Sequence, residues 1–158
     1  MSYKKESAGS ADIMFLREAY QEALEGYQQG GVPVGAVMVR NGKVLARGRN
    51  KRVQEGDPVM HGETDCLRSA GILASYQDID LYTTLSPCMM CTGAIIHFGV
   101  KRVVVGEDVN FPGNIQYLRD NDVDVVLVDD EECKKLMAQF IEERPDIWYE
   151  DIAGNEKV

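Results

Sequence analysis

The first third of the chain shows a helical repeat of apolar residues and then a β-prone pattern. The repeat falls on one face at helical spacing, and its members are Ile13, Leu16, Tyr20, Ala23, Leu24 and Tyr27. Gly30 and Gly31 follow, and glycine readily adopts the left-handed conformation that ends many helices. The runs "VGAVMVR" (34–40) and "KVLARGRN" (43–50) then flank Asn41-Gly42. An Asn-Gly pair between two such runs predicts a β-hairpin.

Three more β-prone runs follow, namely "IDLYTTL" (79–85), "KRVVVG" (101–106) and "VDVVLV" (123–128). The last two are continuously apolar, which is typical of strands buried on both faces. We expect a loop and a short crossover helix between them, in "NFPGNIQYLRD" (110–120), and such a crossover makes the two strands parallel. The pattern therefore predicts an α/β protein, a three-layer α/β/α sandwich with a five-stranded mixed sheet and helices on both faces.

Capping signals predict where two further helices begin. Ser86 is expected to be the N-cap of one, with Pro87 in its first turn. Asp129 is expected to cap the other, with Glu132 at its third position. The buried stripe of that second helix is expected to be Cys133, Leu136, Met137, Phe140 and Ile141. The segment 145–152, "PDIWYEDI", is then a final short element.

Length and composition fit one compact domain, with 158 residues, 44% apolar and 27% charged. We expect a single domain at 12–152 between a flexible N-terminal tail at 1–11 and a C-terminal tail at 153–158. No apolar run is long enough to span a bilayer, and the first ten residues lack the apolar core of a signal peptide. A cytoplasmic location follows as an expectation. The net charge of −9 argues against a nucleic-acid partner, and we expect no membrane partner either.

Three residues supply the nitrogen and sulfur ligands that zinc prefers, namely His61, Cys88 and Cys91. The two cysteines stand three apart in "PCMMC", on one face of a helical first turn where the helix dipole favours thiolate. His61 and Glu63, in "HGE", can converge only if His61 lies at the very start of the helix expected at 61–72. Three protein ligands leave one coordination position for water, as in catalytic zinc sites. Glu63 could then take a proton and pass it to a leaving group.

Two other interpretations of the cysteine pair stay open at this point. The pair alone is also compatible with a redox dithiol. A structural zinc would need a fourth protein ligand, for which Cys66, Cys133 and His97 are the soft candidates. A structural site has no use for Glu63, so the combination favours a catalytic metal.

The pattern H-x-E followed by P-C-x-x-C is the signature of zinc deaminases. Further matching segments extend from about Ile13 to Ile152, and they include "LYTTLSPC", "MCTGAII", "RVVVGE", "VNF", "CKK" and "EDI". On these residues the chain resembles cytosine deaminase of the fungal type, within the zinc-dependent cytidine/deoxycytidylate deaminase superfamily. The resemblance implies a cytidine deaminase-like fold, one Zn²⁺ per subunit and a homodimer. It also implies conversion of cytosine and water to uracil and ammonia, in pyrimidine salvage.

The resemblance also implies roles for individual residues. His61, Cys88 and Cys91 match the zinc ligands, and Glu63 matches the proton shuttle. Six positions match substrate-binding groups. Asn50 matches the residue that hydrogen-bonds the pyrimidine carbonyl, and Asp151 matches the one that contacts the base. The Gly62 N–H and the Ser86 carbonyl match groups that line the pocket, and Phe111 and Trp148 match aromatic residues that cover the ring.

The chain departs from the fungal pattern at Met60, at 64–66, at Met89 and at Pro112-Gly113. Met89 stands where the family carries an acidic residue. None of these changes removes a ligand or Glu63, but a small pocket discriminates by a few placed hydrogen bonds. The same chemistry on isocytosine, a creatinine-like ring, guanine or tRNA adenosine therefore stays an alternative. A non-catalytic zinc-stabilised or redox interaction protein is the remaining alternative.

Overall fold

A computed structural model describes residues 8–152. Residues 1–7 of the expected N-terminal tail and the whole expected C-terminal tail, 153–158, lie outside the described residues. The helices are α1 Ser10–Gln28, α2 Arg52–Glu55, α3 Gly62–Ala70, α4 Met89–Phe98, α5 Ile115–Asp120, α6 Glu131–Glu143 and α7 Pro145–Asp151. The strands are β1 Gly35–Arg40, β2 Lys43–Arg49, β3 Ile79–Leu85, β4 Arg102–Glu107 and β5 Asp124–Leu127. Within the described range, no helix is both long enough and apolar enough to cross a bilayer.

The five strands form one mixed sheet in the order β2-β1-β3-β4-β5. Strand β1 pairs antiparallel with both β2 and β3, whereas β3, β4 and β5 are parallel. The predicted hairpin is confirmed: Asn41 and Gly42 both have positive φ, 51° and 74°, as a tight turn of this kind requires. The short helix α5 connects β4 to β5, so the expected crossover and the parallel pairing are confirmed as well.

Helices cover both faces of the sheet, which confirms the three-layer architecture. Helix α1 packs on one face, in a core of Phe15, Leu16, Ala19, Val37, Val39, Tyr82, Val104 and Val126. Helices α3, α4 and α5 pack on the other, where Cys66, Ile95 and Leu118 meet Ala36, Met38, Leu81, Val103 and Val105. Neighbouring residues of β3 and β4 alternate between the two cores because successive side chains of a strand point to opposite faces.

Two helices begin later than their capping signals suggested. Cys88, with extended backbone, is the N-cap of α4, so Pro87 lies before the helix. Ser86 cannot cap because it still belongs to the sheet edge, its N–H donating to the Glu107 carbonyl. The N-cap of α6 is Asp130, whose carboxylate accepts from the Cys133 N–H. Asp129 has φ 61°, outside the extended region that an N-cap residue adopts.

Strand β2 and helix α3 approach each other so closely at Gly48 that only glycine fits. A Cβ at this position would lie 2.3 Å from the Cys66 nitrogen and 2.6 Å from the Gly62 carbonyl oxygen. Both neighbours are backbone atoms, which cannot move without displacing the helix. The place of α3 on the sheet, and of the residues at its start, therefore depends on Gly48.

A buried carboxylate ties α1 to the middle of the sheet. Both Asp12 oxygens accept from the Arg102 guanidinium, at 2.9 and 2.7 Å, and Oδ1 also accepts from the Tyr82 hydroxyl. The Gly9 N–H donates to Oδ2. The hydrogen bond from Arg102, together with those from Tyr82 and Gly9, outweighs the effect of burial and lowers the pKa of Asp12 to about 2.

We expect Asp12→Asn to lower the free energy of unfolding by about 2 kcal/mol at pH 7, because the ionised form makes these contacts. The folded-state pKa is depressed, so this contribution is complete above the ordinary Asp pKa. It disappears as the pH falls from about 4 to about 2. Urea denaturation of both proteins at matched pH measures the difference. The exposed Asp124→Asn is the control; an Asp12→Asn loss no larger than that of the control contradicts the assignment.

Candidate active site

The starts of α3 and α4 meet at one point and bring His61, Cys88 and Cys91 together. His61 is the N-cap of α3, Cys88 is the N-cap of α4, and Cys91 lies in the first turn of α4. The Nδ1 atom of His61 lies 3.5 Å from the Cys88 Sγ and 3.7 Å from the Cys91 Sγ. The expectation that His61 lies at the very start of its helix is confirmed.

These distances fit a tetrahedral zinc ion. Zinc lies about 2.0–2.1 Å from a histidine nitrogen and about 2.3 Å from a cysteine sulfur, so two such ligands at a tetrahedral angle stand about 3.6 Å apart. Among the described residues, His61, Cys88 and Cys91 form the one group of three potential ligands that lie close enough to share a metal ion. The candidates for a fourth ligand lie elsewhere: Cys66 and Cys133 are buried in the apolar cores, and His97 is exposed. The donor set therefore fits a three-ligand zinc site.

Hydrogen bonds among the three residues, and one between His61 and Asp151, shift the pKa values of the trio. Burial lowers the pKa of His61, but hydrogen bonds with Asp151 and Cys88 outweigh it and raise that pKa to about 10. A hydrogen bond from the Cys91 thiol lowers the pKa of Cys88 to about 4 against the opposing effect of burial. The same bond raises the pKa of Cys91 well above its usual value. Zinc binding would replace these protons, because zinc takes thiolates and neutral imidazole.

Asp151, at the end of α7, holds the far side of the His61 ring. Its Oδ1 lies 2.8 Å from His61 Nε2, and its Oδ2 accepts from the Asn50 amide at 2.9 Å. The Asp151 side chain is only 4% exposed. A carboxylate on the second ring nitrogen selects the tautomer and orientation of a metal-binding histidine. The structure thus places Asp151 and Asn50 together, with Asp151 directly against a candidate zinc ligand.

Glu63 lies in the first turn of α3 and is 3% exposed. The Thr83 hydroxyl donates to its Oε1 at 2.6 Å. Burial raises the pKa of Glu63, and this hydrogen bond opposes that rise only in part. Glu63 therefore holds a proton more readily than an exposed glutamate does, which suits a group that takes up and releases a proton.

Thr83 is a site residue that the sequence patterns missed. It is fully buried in β3, between Tyr82 and Thr84. A hydroxyl on a buried strand needs a hydrogen-bond partner, and that requirement was the available signal. Its partner, Glu63, stands on a different element and could not be identified from the strand alone.

A small cavity of about 30 Å³ lies beside the trio, and its lining residues are Val34, Asn50, His61, Glu63, Leu85, Ser86, Cys88, Phe111, Trp148, Asp151 and Ile152. This volume holds about two waters, so a ring-sized ligand needs movement of the lining. Five of the six expected substrate-binding residues line it. Gly62 does not, and a Cβ at this position would lie 3.1 Å from the Val34 carbonyl oxygen. The apolar walls Val34, Leu85 and Ile152 were not foreseen.

A wider cavity of about 460 Å³ adjoins the first on the solvent side. It shares His61, Cys88, Phe111, Asp151 and Ile152 with the inner cavity, and Pro58, Met89, Met90, Pro112, Gly113 and Asn114 complete its lining. Met89 is 56% exposed and lines this outer space rather than the inner cavity. The departure from the fungal pattern at Met89 therefore lies at the mouth of the site.

Residues 10–107 match the family of the cytidine and deoxycytidylate deaminase zinc-binding region. The chain therefore belongs to this family of zinc-dependent deaminases, and its candidate metal trio and Glu63 fall within the matched residues. Among individual relatives, cytosine deaminase of Candida albicans is 48% identical over 140 residues, which cover 87% of this chain and 93% of that protein.

Solved structures of related deaminases share the fold. A tRNA:A34 deaminase, an A-to-I editing enzyme of the transfer RNA wobble position, superimposes with a TM-score of 0.69 at 27% identity. The match covers 78% of this chain and 99% of that one. Guanine deaminase from Bacillus subtilis matches with a TM-score of 0.56 at 34% identity, over 71% of each chain. The fold thus occurs with more than one aminated base.

We expect Cys91→Ser to reduce bound zinc from about one equivalent to a small fraction of it, because the variant loses a thiolate ligand. Zinc in purified protein, measured by atomic emission, checks this. Cys133→Ala is the matched control, since Cys133 is buried but remote from the trio, and it should keep full zinc. Unchanged zinc in Cys91→Ser would contradict the assignment.

Proposed function

We propose that this protein hydrolyses the amino group of free cytosine, giving uracil and ammonia. The observation that carries the proposal is the inner cavity, which Glu63 and the candidate zinc ligands His61 and Cys88 line together with Trp148 and Asp151. The likeness to the Candida albicans enzyme supports it because that match covers 140 residues. The tRNA-specific adenosine deaminase of Bacillus subtilis matches over only 98 residues.

Zinc would be held by His61 Nδ1 and by the sulfurs of Cys88 and Cys91, and it would supply Lewis-acid chemistry that makes water acidic near neutral pH. Asp151 keeps the His61 ring oriented toward the metal. The two thiolates and the neutral imidazole balance the charge of the ion. The protein's remaining task is to move protons and to hold the base.

Glu63 is proposed to move the protons. Its carboxylate takes a proton from the attacking water and delivers it to ring N3 of cytosine, while the water oxygen bonds to C4. It then moves the remaining proton of that oxygen to the amino nitrogen, so that the C4–N bond breaks, the C4 carbonyl forms and ammonia is released. The Thr83 hydroxyl fixes the carboxylate through Oε1 during these transfers.

The base is proposed to bind between polar groups at its edge and aromatic rings at its face. Asn50 is already oriented, because Oδ1 accepts from the Arg52 N–H at 3.1 Å and Nδ2 donates to Asp151. The Ser86 carbonyl would complete the edge contacts. The Gly62 N–H, which does not line the cavity, would join them only when the lining moves to admit the base. Phe111 and Trp148 meet edge to face, with ring centroids 6.1 Å apart, and would cover the ring.

The closed cavity favours a free base over a nucleoside or tRNA. Trp148 on α7 is 4% exposed and lines the inner cavity, whose volume of about 30 Å³ must enlarge further for a base with a ribose than for a base alone. The net charge of −9 also disfavours a polyanionic substrate.

An ammonia-release assay on zinc-loaded protein tests the substrate. We expect kcat/KM for cytosine to exceed that for cytidine by about 100-fold or more, since a ribose clashes with Trp148 and Asp151. Isocytosine, guanine and a tRNA anticodon stem-loop complete the panel. Highest activity on any of these would replace cytosine as the substrate, and no activity on any would support the non-catalytic alternative.

The Glu63→Gln variant separates catalysis from binding within this assay. We expect it to retain zinc and to lose about 1,000-fold in kcat, within the usual range for a general acid–base group. Glu142→Gln, an exposed change on α6, is the control and should keep full activity. A Glu63→Gln protein with native turnover would exclude the shuttle role.

The proposal includes the wider organisation: residues 12–152 form one deaminase domain, in a cytoplasmic homodimer that serves pyrimidine salvage. Exposed Met89 and Met90 at the mouth, together with exposed Val59, offer an apolar surface for a second copy. Cell fractionation tests the location.

We expect sedimentation equilibrium at micromolar concentration to give twice the chain mass. Met89→Glu should shift the population toward monomer, because it buries a charge against the partner. The control is Ile72→Glu, a change at a fully exposed apolar residue. A wild-type monomer, or an unchanged dimer in Met89→Glu, would contradict this interface.

A further inference from the structure

The Phe111 loop, residues 108–114, connects β4 to α5 and lies along the wall of the inner cavity. It has no regular structure of its own. Yet Phe111 lines both cavities and meets Trp148 edge to face. A loop of this kind needs other contacts to hold one aromatic ring in a defined place.

A buried acid holds the first half of the loop. Glu107, the last residue of β4, is 0% exposed. Its Oε2 accepts from the Asn110 backbone N–H and its Oε1 accepts from the Asn110 side-chain amide, both at 2.9 Å. The same amide donates to the Lys134 carbonyl on α6 at 3.0 Å. Asn110 is thereby fixed to the sheet and to α6, directly before Phe111.

The second half of the loop is held against the end of β3. The Ser86 hydroxyl donates to the Pro112 carbonyl at 2.9 Å, and the Asn114 amide donates to the Pro87 carbonyl at 3.2 Å. Gly113 has φ +60°, and a Cβ there would lie 1.8 Å from Ser86 Oγ and 2.9 Å from the Pro87 oxygen. Only glycine allows this approach, and so the loop is clamped on both sides of Phe111.

We propose that Glu107, Asn110 and Gly113 are positioning residues for the base: they act through Phe111, which they hold against Trp148 and over the ring-binding space. The role deepens the proposed function and rests on it for the identity of the ligand. A buried carboxylate is costly unless its hydrogen bonds are made. Both carboxylate oxygens of Glu107 accept hydrogen bonds from one loop residue, Asn110, so the buried Glu107 fixes the position of the loop.

Preorganising an aromatic ring favours binding because the ligand does not have to order the loop. Loss of the clamp should therefore raise KM more than it lowers kcat, since Glu63 and the metal trio stand on other elements. Removal of base–aromatic stacking costs about 1–3 kcal/mol, which corresponds to a rise in KM of about 5-fold to 160-fold.

The first experiment needs no substrate, because Trp148 is the protein's single tryptophan. In Asn110→Ala we expect acrylamide quenching of Trp148 fluorescence to increase about two-fold, as Phe111 leaves its side. Asn121→Ala is the matched control, since its amide donates to the carbonyl of the exposed Tyr117 on α5. It should quench like the wild type. Wild-type quenching in Asn110→Ala would overturn the proposal, whatever the substrate proves to be.

The second experiment is a double-mutant cycle on KM for cytosine. Asn110→Ala and Phe111→Ala are each expected to raise KM about ten-fold with kcat within about three-fold of wild type. If Asn110 acts through Phe111, the double variant is no worse than Phe111→Ala alone. Additive effects on KM would overturn the proposal, because a general loss of stability would add to the loss of Phe111.

Gly113→Ala provides a second route if Asn110→Ala does not fold. It should raise both Trp148 quenching and KM, because the new Cβ displaces the loop from Ser86. Wild-type Trp148 quenching together with wild-type KM in Gly113→Ala would overturn the proposal. Should cytosine not be a substrate at all, the quenching results still decide the proposal for the loop, so the two failures are distinguishable.

Discussion

The meeting of two helix starts is the constraint on which the rest of the site depends. His61 and Cys88 can share a metal with Cys91 only if α3 and α4 begin at the same point, with extended backbone at both N-caps. That arrangement requires α3 to lie directly on β2, which Gly48 permits. The fold therefore places the two N-cap residues, His61 and Cys88, where α3 and α4 meet. Their backbone is extended, so their side chains can turn toward each other.

The C-terminal helix α7 joins this metal geometry to closure of the pocket. Asp151 binds the ring of His61, and Trp148, three residues earlier, closes the inner cavity. The Arg52 guanidinium pairs with Glu150 on the same helix and its Nε donates to the Pro58 carbonyl. One short helix thus orients a candidate zinc ligand and supplies part of the wall of the inner cavity. Opening it for a base would release both interactions together.

Local signals in the sequence were sufficient for the elements and for the metal trio. The Asn41-Gly42 pair marked the hairpin, and the spacing of Cys88 and Cys91 placed both sulfurs near one helix start. These local signals were insufficient where the hydrogen-bond partner of a side chain lay on another element. Ser86 was expected to cap α4, but its hydroxyl bonds the Pro112 carbonyl of a distant loop. Thr83 was overlooked because its partner Glu63 lies twenty residues away.

Residue type and spacing by themselves determined which atoms could bind zinc and which carboxylate stood beside them, because ligand chemistry and capping act over a few residues. The tertiary structure alone decided how those groups are oriented. Asp151 reaches His61 from ninety residues away, and Glu107 supports Phe111 through Asn110 while Lys134 and Ser86 complete the clamp. Such contacts depend on how the sheet brings together segments that are far apart in the sequence, and no local sequence pattern specifies which segments will meet.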